Sequence, residues 1–592
     1  MAHGKAPQLL FLILFFAALT GLAGLTSKDI ESWDEGVYYT EARFVVQSAR
    51  VVVLYAAGKV FPRADFPDLQ TLKQSVTGLA PQMGRPVNVA INSVGLALLG
   101  QHPWVPALLA ALQGLGCIYL VFLILRREVG ETAGLLGAFM LSLSPYFLPY
   151  RRLGMCEAAG AFLALLTVYL LLRWWGEAGR LARRHSWWLG ILCGLSFGAN
   201  TRTLLLLPPI VLWRMWCMRG KEAERWWLHG LRVAGGFALM IALYQMPYIL
   251  VGPLSAKLGS GAVEDYVGQL RRFATAQSQL GRVGLAEAYG APAYFFLRNE
   301  GPAVVLFLMG LGWMVRAKAG RMVSGPSGGE DGEIGAGSPS HTVAPSHMTD
   351  PSHGRLRWVL PSLLVLPMLQ TAVLIPFARY QSWLLPIFAA IAGIGLWGLW
   401  QWGSKRSLGV RRSVLVAALV IVAGHGLYRG LPVIEARSLH PAALQWCHAQ
   451  GATALVDTNM SAALAAAPLY RLDRLWQMPV DPAQAADAIV KMNATGKAMV
   501  IVETQQYMKA ELLMTPEEYE RSAAAVLSRS VKPVWEQQGH LSGLFPFLCF
   551  EHNRILRQTL RTLRRYEPVA SQIRVYDGPA AVKALRAATP TP

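Results

Sequence analysis

The sequence predicts a polytopic α-helical membrane protein of about eleven spans that ends in a soluble α/β domain. Three observations predict it. Of the 592 residues, 53% are hydrophobic and only 15% charged, against about 25% charged in an average globular domain. Apolar stretches near the ~20 residues needed to cross ~30 Å of hydrocarbon recur through residues 1–430. From about residue 440, short strand-like runs alternate with helical ones, the pattern of an α/β unit. The chain therefore divides into a membrane part, 1–430, and a soluble part, 431–592.

The apolar stretches lie near 8–25, 104–125, 131–149, 157–175, 187–200, 203–218, 231–252, 302–316, 358–376, 382–402 and 412–428. Residues 86–100 are apolar but short, as in a re-entrant or interfacial segment. The first run follows Lys5 as in a signal peptide, but it continues to Leu25 without a small-x-small cleavage site, so it reads as a retained helix. With the N-terminus inside, the inner connections are 126–130, 176–186, 219–230, 317–357 and 403–411. All are basic, carrying Arg126 and Arg127, Arg183 and Arg184, Arg219 and Lys221, Arg316 and Lys318, and Lys405 and Arg406. That is the positive-inside pattern, and it absorbs the net charge of +20 without a nucleic-acid partner. The same frame puts 26–85, 150–156, 200–202, 253–300, 377–381 and everything after Leu431 on the outer face. It predicts an integral protein of a bacterial inner membrane with its outer loops on the periplasmic side.

Residues 317–357 form a cytoplasmic linker rich in Gly, Ser and Pro, with three PSH units ending at His341, His347 and His353; it reads as disordered. The six cysteines show no CxxC or Cys/His ligand spacing, which leaves no zinc motif. Cys447 and Cys549 either pair or remain two buried thiols. In the soluble part, ATALVDT, AMVIVET, KPVWEQQ and QIRVYDG read as strands, with helices near 459–469, 482–493, 516–528 and 553–565. No GxGxxG or GxxxxGK[ST] motif occurs there, so nucleotide binding has no support and a lid or docking role is the better reading.

Chemistry gathers at the outer ends of the spans. Asp34 and Glu35 follow the first helix in IESWDEGVYYTEARFV. Arg85 closes the first outer loop in MGRPVN. Arg151, Arg152 and Glu157 lie in YRRLGMCEA, Arg202 in ANTRT, and Arg379 with Tyr380 in PFARYQSWLLP. Membrane-surface charges are costly and tend to mark function. Arginines from separate loops suit a phosphate, which they grip through charge-assisted hydrogen bonds, and a carboxylate beside them suits a general base. Together they describe a reaction on the head group of a phosphorylated lipid.

These residues resemble a known pattern. DEGVYYTEAR fits DE-x-x-Y-x-x-x-A-R, which follows the first helix in the GT-C membrane glycosyltransferases, through Asp34, Glu35, Tyr38, Ala42 and Arg43. The nearest branch is that of the lipid A aminoarabinose transferases and the protein O-mannosyltransferases. GRP at 84–86 resembles the family's KPP, Arg152 to Glu157 its R-x-x-x-x-D, NTR at 200–202 its TKG, and ARYQSWLLP its RYLLPLLP. The order agrees over about 400 residues, with Arg85 for Lys, one Pro for two, and Glu157 for Asp.

The resemblance implies an inverting glycosyltransferase. A polyprenyl-phosphate-linked sugar is the donor, and the acceptor is an unidentified lipid, protein or glycan. Asp34 is the expected base, with Glu35 and Glu157 as further catalytic acids. Arg85, Arg151, Arg152, Arg202, Arg379 and Tyr380 are expected at the lipid phosphate, and Tyr38 and Arg43 as loop-positioning residues. No metal is required by any motif, although a divalent cation stays open if Asp34, Glu35 and Glu157 converge. The competing class is a transporter or flippase of a lipid-linked sugar, which calls for ionisable residues along a path through the membrane; here they collect at the outer ends.

Overall fold

The computed structural model describes residues 5–25, 33–61, 66–82, 84–176, 183–205, 226–260, 262–279, 293, 296–323, 382–403, 408–435, 439–458, 474–503, 520–539 and 571–589. Among the described residues the regular structure of the membrane part is helical: α1 (Ala6–Leu22), α2 (Trp33–Val60), α3 (Leu69–Val76), α4 (Pro86–Leu99), α5 (Trp104–Glu128), α6 (Glu131–Leu143), the single turn α7 (Phe147–Tyr150), α8 (Cys156–Gly176), α9 (Arg183–Ala199), α10 (Trp226–Leu258), α11 (Tyr266–Gln279), α12 (Pro302–Val323), α13 (Leu385–Gly403) and α14 (Leu408–Glu435).

By length and composition, five stretches can cross a membrane: Trp104–Glu128, Cys156–Trp174, Trp227–Leu258, Ser382–Trp402 and Arg412–Ala449. Ala6–Leu22, Pro86–Leu99, Glu131–Leu143 and Pro302–Met314 are apolar but shorter. The stretch 358–376, most of 203–218 and residues 324–357 of the linker, with its PSH histidines, lie outside the described residues, while 317–323 continue α12. The described residues of 26–85, expected as the first outer loop, include the helices α2 and α3.

Helices that are apolar on all sides, such as α1, need few protein contacts. Only Ala6, Ala17 and Gly21 of α1 are buried, while Phe11, Leu12, Phe15 and Leu19 are exposed. The core lies instead between α5, α6, α8 and α13. There small residues admit close backbone approach: a Cβ at Gly395 would strike the Leu306 carbonyl, and one at Gly310 the Ile391 carbonyl.

The soluble part adds α15 (His440–Ala449), β1 (Ala454–Asp457), β2 (Arg474–Gln477), α16 (Pro482–Asn493), β3 (Ala498–Glu503), α17 (Ala523–Ser530), β4 (Trp535–Gly539), β5 (Ser571–Asp577) and α18 (Gly578–Ala587). The strand order is β2-β1-β3-β5-β4. β1 pairs in parallel with β2 and β3, and β5 runs antiparallel to β3 and β4. Val456, Val500 and Tyr576 face α16, α17 and α18, while Leu455, Ile501 and Val575 face α15. Asp481, Ser522 and Asp577 cap the three helices on the first face.

The four strand-like runs of the sequence are β1, β3, β4 and β5. β2, α15 and α18 are absent from the sequence reading: RLWQ is four residues long and largely exposed, too short for alternation to register. The helical stretches 459–469 and 553–565 lie outside the described residues. Cys447 is a buried free thiol, and Cys549 also lies outside the described residues.

A buried carboxyl fastens the segment between α6 and α7. Ser144 donates to Glu300 at 2.5 Å, the Tyr146 backbone N–H donates to the same oxygen at 3.2 Å, and Ser144 Oγ accepts from Phe147 N. Burial pushes Glu300 up to about 7, against the lowering effect of these hydrogen bonds. A carboxyl raised on folding stabilises the fold fully below its unfolded value and loses that contribution as pH rises through its folded value. The melting temperature in detergent should therefore fall between pH 5 and pH 8, and Glu300→Gln should flatten that fall; an unchanged slope in the variant would remove Glu300 from the lock.

Candidate functional site

Arg85 stands where a tight turn meets the start of α4. Pro86 at the first helical position fits the helix without losing a hydrogen bond. Gly84 sits at φ +64°, a region that favours glycine, and its N–H donates to Gln269 Oε1 at 3.0 Å. Gln269 also donates to Pro81 O and Glu264 O, each at 3.0 Å. Arg272 donates to Gln82 O at 3.0 Å, and the Tyr248 hydroxyl to Pro81 O. Residues of α10 and α11 thus hold the turn that carries Arg85.

Asp34 lies in the first turn of α2, and its side chain is outside the described residues. Glu35 is buried, 1% exposed, and accepts from the Gly154 backbone N–H at 2.6 Å. A Cβ at Gly154 would collide with Pro106, so only glycine lets the loop come this close. One turn further along α2, the Tyr38 hydroxyl donates to Cys156 Sγ at 3.6 Å, and the thiol lies 3.8 Å from Glu157 Oε2. Glu157 is buried in the first turn of α8, where the helix dipole favours its charge. Burial first, then Cys156 and Glu157, hold the Tyr38 phenol well above its usual value, with Arg85 acting the other way. Tyr38 is therefore a protonated donor at neutral pH. Arg202 is buried in the 3-10 turn Thr201–Leu205, and its backbone N–H donates to Asn200 Oδ1 at 3.2 Å. The charges of both Arg85 and Arg202 act on the Cys156 thiol. Tyr38, Arg85, Cys156, Glu157 and Arg202 thus share one neighbourhood at the N-termini of α4 and α8.

Arg151 and Arg152 point elsewhere. Arg151 donates to Ala17 O at 2.9 Å, Thr20 Oγ1 at 2.7 Å and Ser142 O at 3.2 Å. Arg152 donates to Thr20 O at 2.6 Å, Gly21 O at 3.3 Å, Ala23 O at 3.0 Å and Ile434 O at 3.3 Å. Most of these carbonyls lie toward the C-terminal ends of α1, α6 and α14, where main-chain acceptors lack helical partners and the dipole attracts cations. The sequence reading expected this pair at a lipid phosphate; here their terminal nitrogens donate to main-chain carbonyls and to the Thr20 hydroxyl. Burial, then the like charge of Arg152, pushes Arg151 down to about 9, which leaves it cationic at neutral pH.

Arg43 and Gln47 both donate to Gln101 Oε1, at 3.0 and 3.1 Å, and fasten α2 to the turn before α5. Arg379 and Tyr380 lie outside the described residues. Among the described residues no group of three His, Cys, Asp or Glu side chains is placed to hold a metal ion; the divalent-cation reading depends on Asp34. Sequence reasoning missed Cys156, Asn200, Tyr266 and Gln269. Cys156 adjoins Glu157 in a motif already singled out, whereas Gln269 sits in α11, within a stretch the sequence reading left as part of an outer loop. Replacing Arg152 with Ala leaves several buried carbonyls without donors, each costing roughly 1–3 kcal/mol. Arg152→Ala should lower the melting temperature strongly; an unchanged melting temperature with lost lipid binding would restore the phosphate reading.

Known proteins supply an independent comparison. Residues 84–250 match the family described as dolichyl-phosphate-mannose-protein mannosyltransferase. A putative mannosyltransferase of Bacillus subtilis (strain 168), YkcB, is 28% identical over 130 residues, which are 22% of this chain and 18% of the relative. The chain thus matches under a fifth of that relative's length. Among solved structures, the apo oligosaccharyltransferase of Archaeoglobus fulgidus has TM-score 0.49 at 12% identity, covering 89% of this chain and 79% of that one. ArnT of Cupriavidus metallidurans, bound to undecaprenyl phosphate, has TM-score 0.42 at 14% identity, covering 83% and 80%. The resemblance to GT-C glycosyltransferases holds over the segment 84–250, which carries Arg85, Arg151, Arg152, Glu157 and Arg202 and leaves Asp34 and Arg379 outside it.

Proposed function

We propose that the chain is an inverting glycosyltransferase that moves a sugar from a polyprenyl-phosphate donor to a lipid, protein or glycan acceptor on the outer face of a bacterial inner membrane. The observation that carries this is the gathering of Tyr38, Arg85, Glu157 and Arg202 at two helix N-termini, within the segment that matches the mannosyltransferase family. Helix N-termini and guanidinium groups both favour an anion.

In this reading the acceptor O–H or N–H attacks the anomeric carbon from the face opposite the phosphate. The new glycosidic bond forms as the C1–O(phosphate) bond breaks, and polyprenyl phosphate leaves with the electron pair. Asp34 takes the acceptor's proton. The leaving group is already a stable anion, so no acid needs to protonate it. Arg85 and Arg202 stabilise the charge it gains, and Arg379 with Tyr380 complete the phosphate contacts. Glu35 acts through Gly154, setting the loop that presents Glu157. Glu157 supports the oxocarbenium-like charge at C1. Tyr38 donates from its protonated phenol, and Arg151 and Arg152 contribute only the field of two nearby cations. The soluble part serves as a lid or docking unit on the same face.

Labelled donor lipid mixed with purified protein in detergent should yield free polyprenyl phosphate only when acceptor is added; movement of intact lipid-linked sugar across vesicles without cleavage would instead support transport. Asp34→Asn should abolish transfer while the protein still inserts and folds, and normal activity in that variant removes Asp34 from the mechanism. Arg85→Ala should slow turnover by about 10²–10³-fold, the usual range for loss of one group that stabilises transition-state charge.

A further inference from the structure

Beside the charged cluster lies a set of neutral donors that are unmatched among the described residues. Asn88 and Asn92 of α4 are 2% and 3% exposed, and Asn200 and Tyr266 are fully buried. The amide nitrogens of all three asparagines and the Tyr266 hydroxyl have no hydrogen-bond partner among the described residues. Buried polar groups are nearly always matched, and an unmatched one is destabilising. Four in one region point to a ligand that supplies the missing partners.

Their placement is specific. Val89, Ser93 and Leu96 of α4 pack on α2, and Val87 and Ile91 pack with Tyr244, Tyr248 and Tyr266. Asn88 and Asn92, four residues apart, form the strip between those two faces, one and two turns beyond Arg85. Tyr266 packs with Val87, Ala159 and Ala199, and its hydroxyl feels the charge of Arg85. Asn200 packs against Gly160, one turn of α8 beyond Glu157, so closely that a Cβ there would strike it.

We propose that Asn88, Asn92, Asn200 and Tyr266 form the subsite for the carbohydrate of the donor, with carboxamide and phenol groups meeting the ring hydroxyls. This rests on the glycosyl-transfer reading and extends it. An isoprenoid tail would leave these donors unmatched, and the phosphate has the arginines. Sugar hydroxyls both give and accept hydrogen bonds, as carboxamides do. A site built on such bonds rejects analogues that lack the matching hydroxyl, so these residues set which sugar is taken.

The test uses the purified full chain and a panel of short-chain polyprenyl-phosphate hexoses, with the same polyprenyl phosphate lacking a sugar as the control. Tyr266→Phe removes only the hydroxyl; Asn92→Ala removes the amide. Each should weaken binding of the best hexose donor about 10- to 100-fold, leave binding of the bare lipid within about twofold, and leave the melting temperature of the ligand-free protein unchanged or raised. An equal loss for both lipids, a lowered melting temperature with donor affinity intact, or no change at all overturns the subsite. If the wild-type protein holds the bare lipid but no hexose more tightly, the subsite fails while the phosphate reading stands. If it holds neither, both fail.

Discussion

Two adjacent arginines anchor the geometry of the site. Arg151 and Arg152 are 2% and 3% exposed, and their guanidinium groups bind the carbonyl ends of α1 and α14. Cations buried in this way are tolerated only where acceptors surround them. Helix C-termini supply such acceptors, and their dipoles supply a negative field. The pair therefore joins the first membrane helix, the last described one and the loop before α8. Glu300 fastens the start of that loop region at Ser144 and Tyr146, and Glu35 fastens its end at Gly154. Between these attachments the chain has little freedom, so Cys156 and Glu157 are delivered to Tyr38 in a fixed position.

A second support acts on the opposite side of the cluster. Gln269, Tyr248 and Arg272 hold residues 81–84, which fixes Arg85 at the entrance of α4. The site thus takes its parts from four segments far apart in sequence, and hydrogen bonds to backbone groups help to hold each of them. Backbone acceptors hold Arg151 and Arg152 in place, and Arg85 and Arg202 add two further guanidinium groups to the same end of the bundle.

The membrane architecture was legible because composition, apolar length and loop charge speak independently of tertiary detail. The resemblance through Asp34, Glu35, Tyr38 and Arg43 singled out α2, and the same ordering singled out Arg85, Glu157 and Arg202, which the fold brings near Tyr38. What the sequence could not show was direction. YRRLGMCEA reads as three charges on one loop, yet two of them turn toward α1 and one toward α2. Nothing in residue type separates an arginine that meets a ligand from one that caps a helix; only the position of the carbonyls does. In the same way Asn88, Asn92 and Gln269 are ordinary polar residues in sequence. They gain meaning only through burial and through what does or does not lie within hydrogen-bond reach. After residue 439, a continuous apolar run announced β3 and an alternating one β5, while the exposed four-residue β2 pairs with β1.

The central claim is that one anion-holding centre, formed by Arg85 and Arg202 beside Tyr38 and Glu157, receives the phosphate of a lipid-linked sugar, while Arg151 and Arg152 serve the scaffold. The most direct measurement is an electron cryo-microscopy map of the purified protein with a polyprenyl-phosphate sugar bound. The account predicts phosphate density within hydrogen-bond reach of Arg85 and Arg202, with Arg151 and Arg152 still on the carbonyls of α1 and α14. Phosphate density on Arg151 and Arg152, with those carbonyls released, would contradict it.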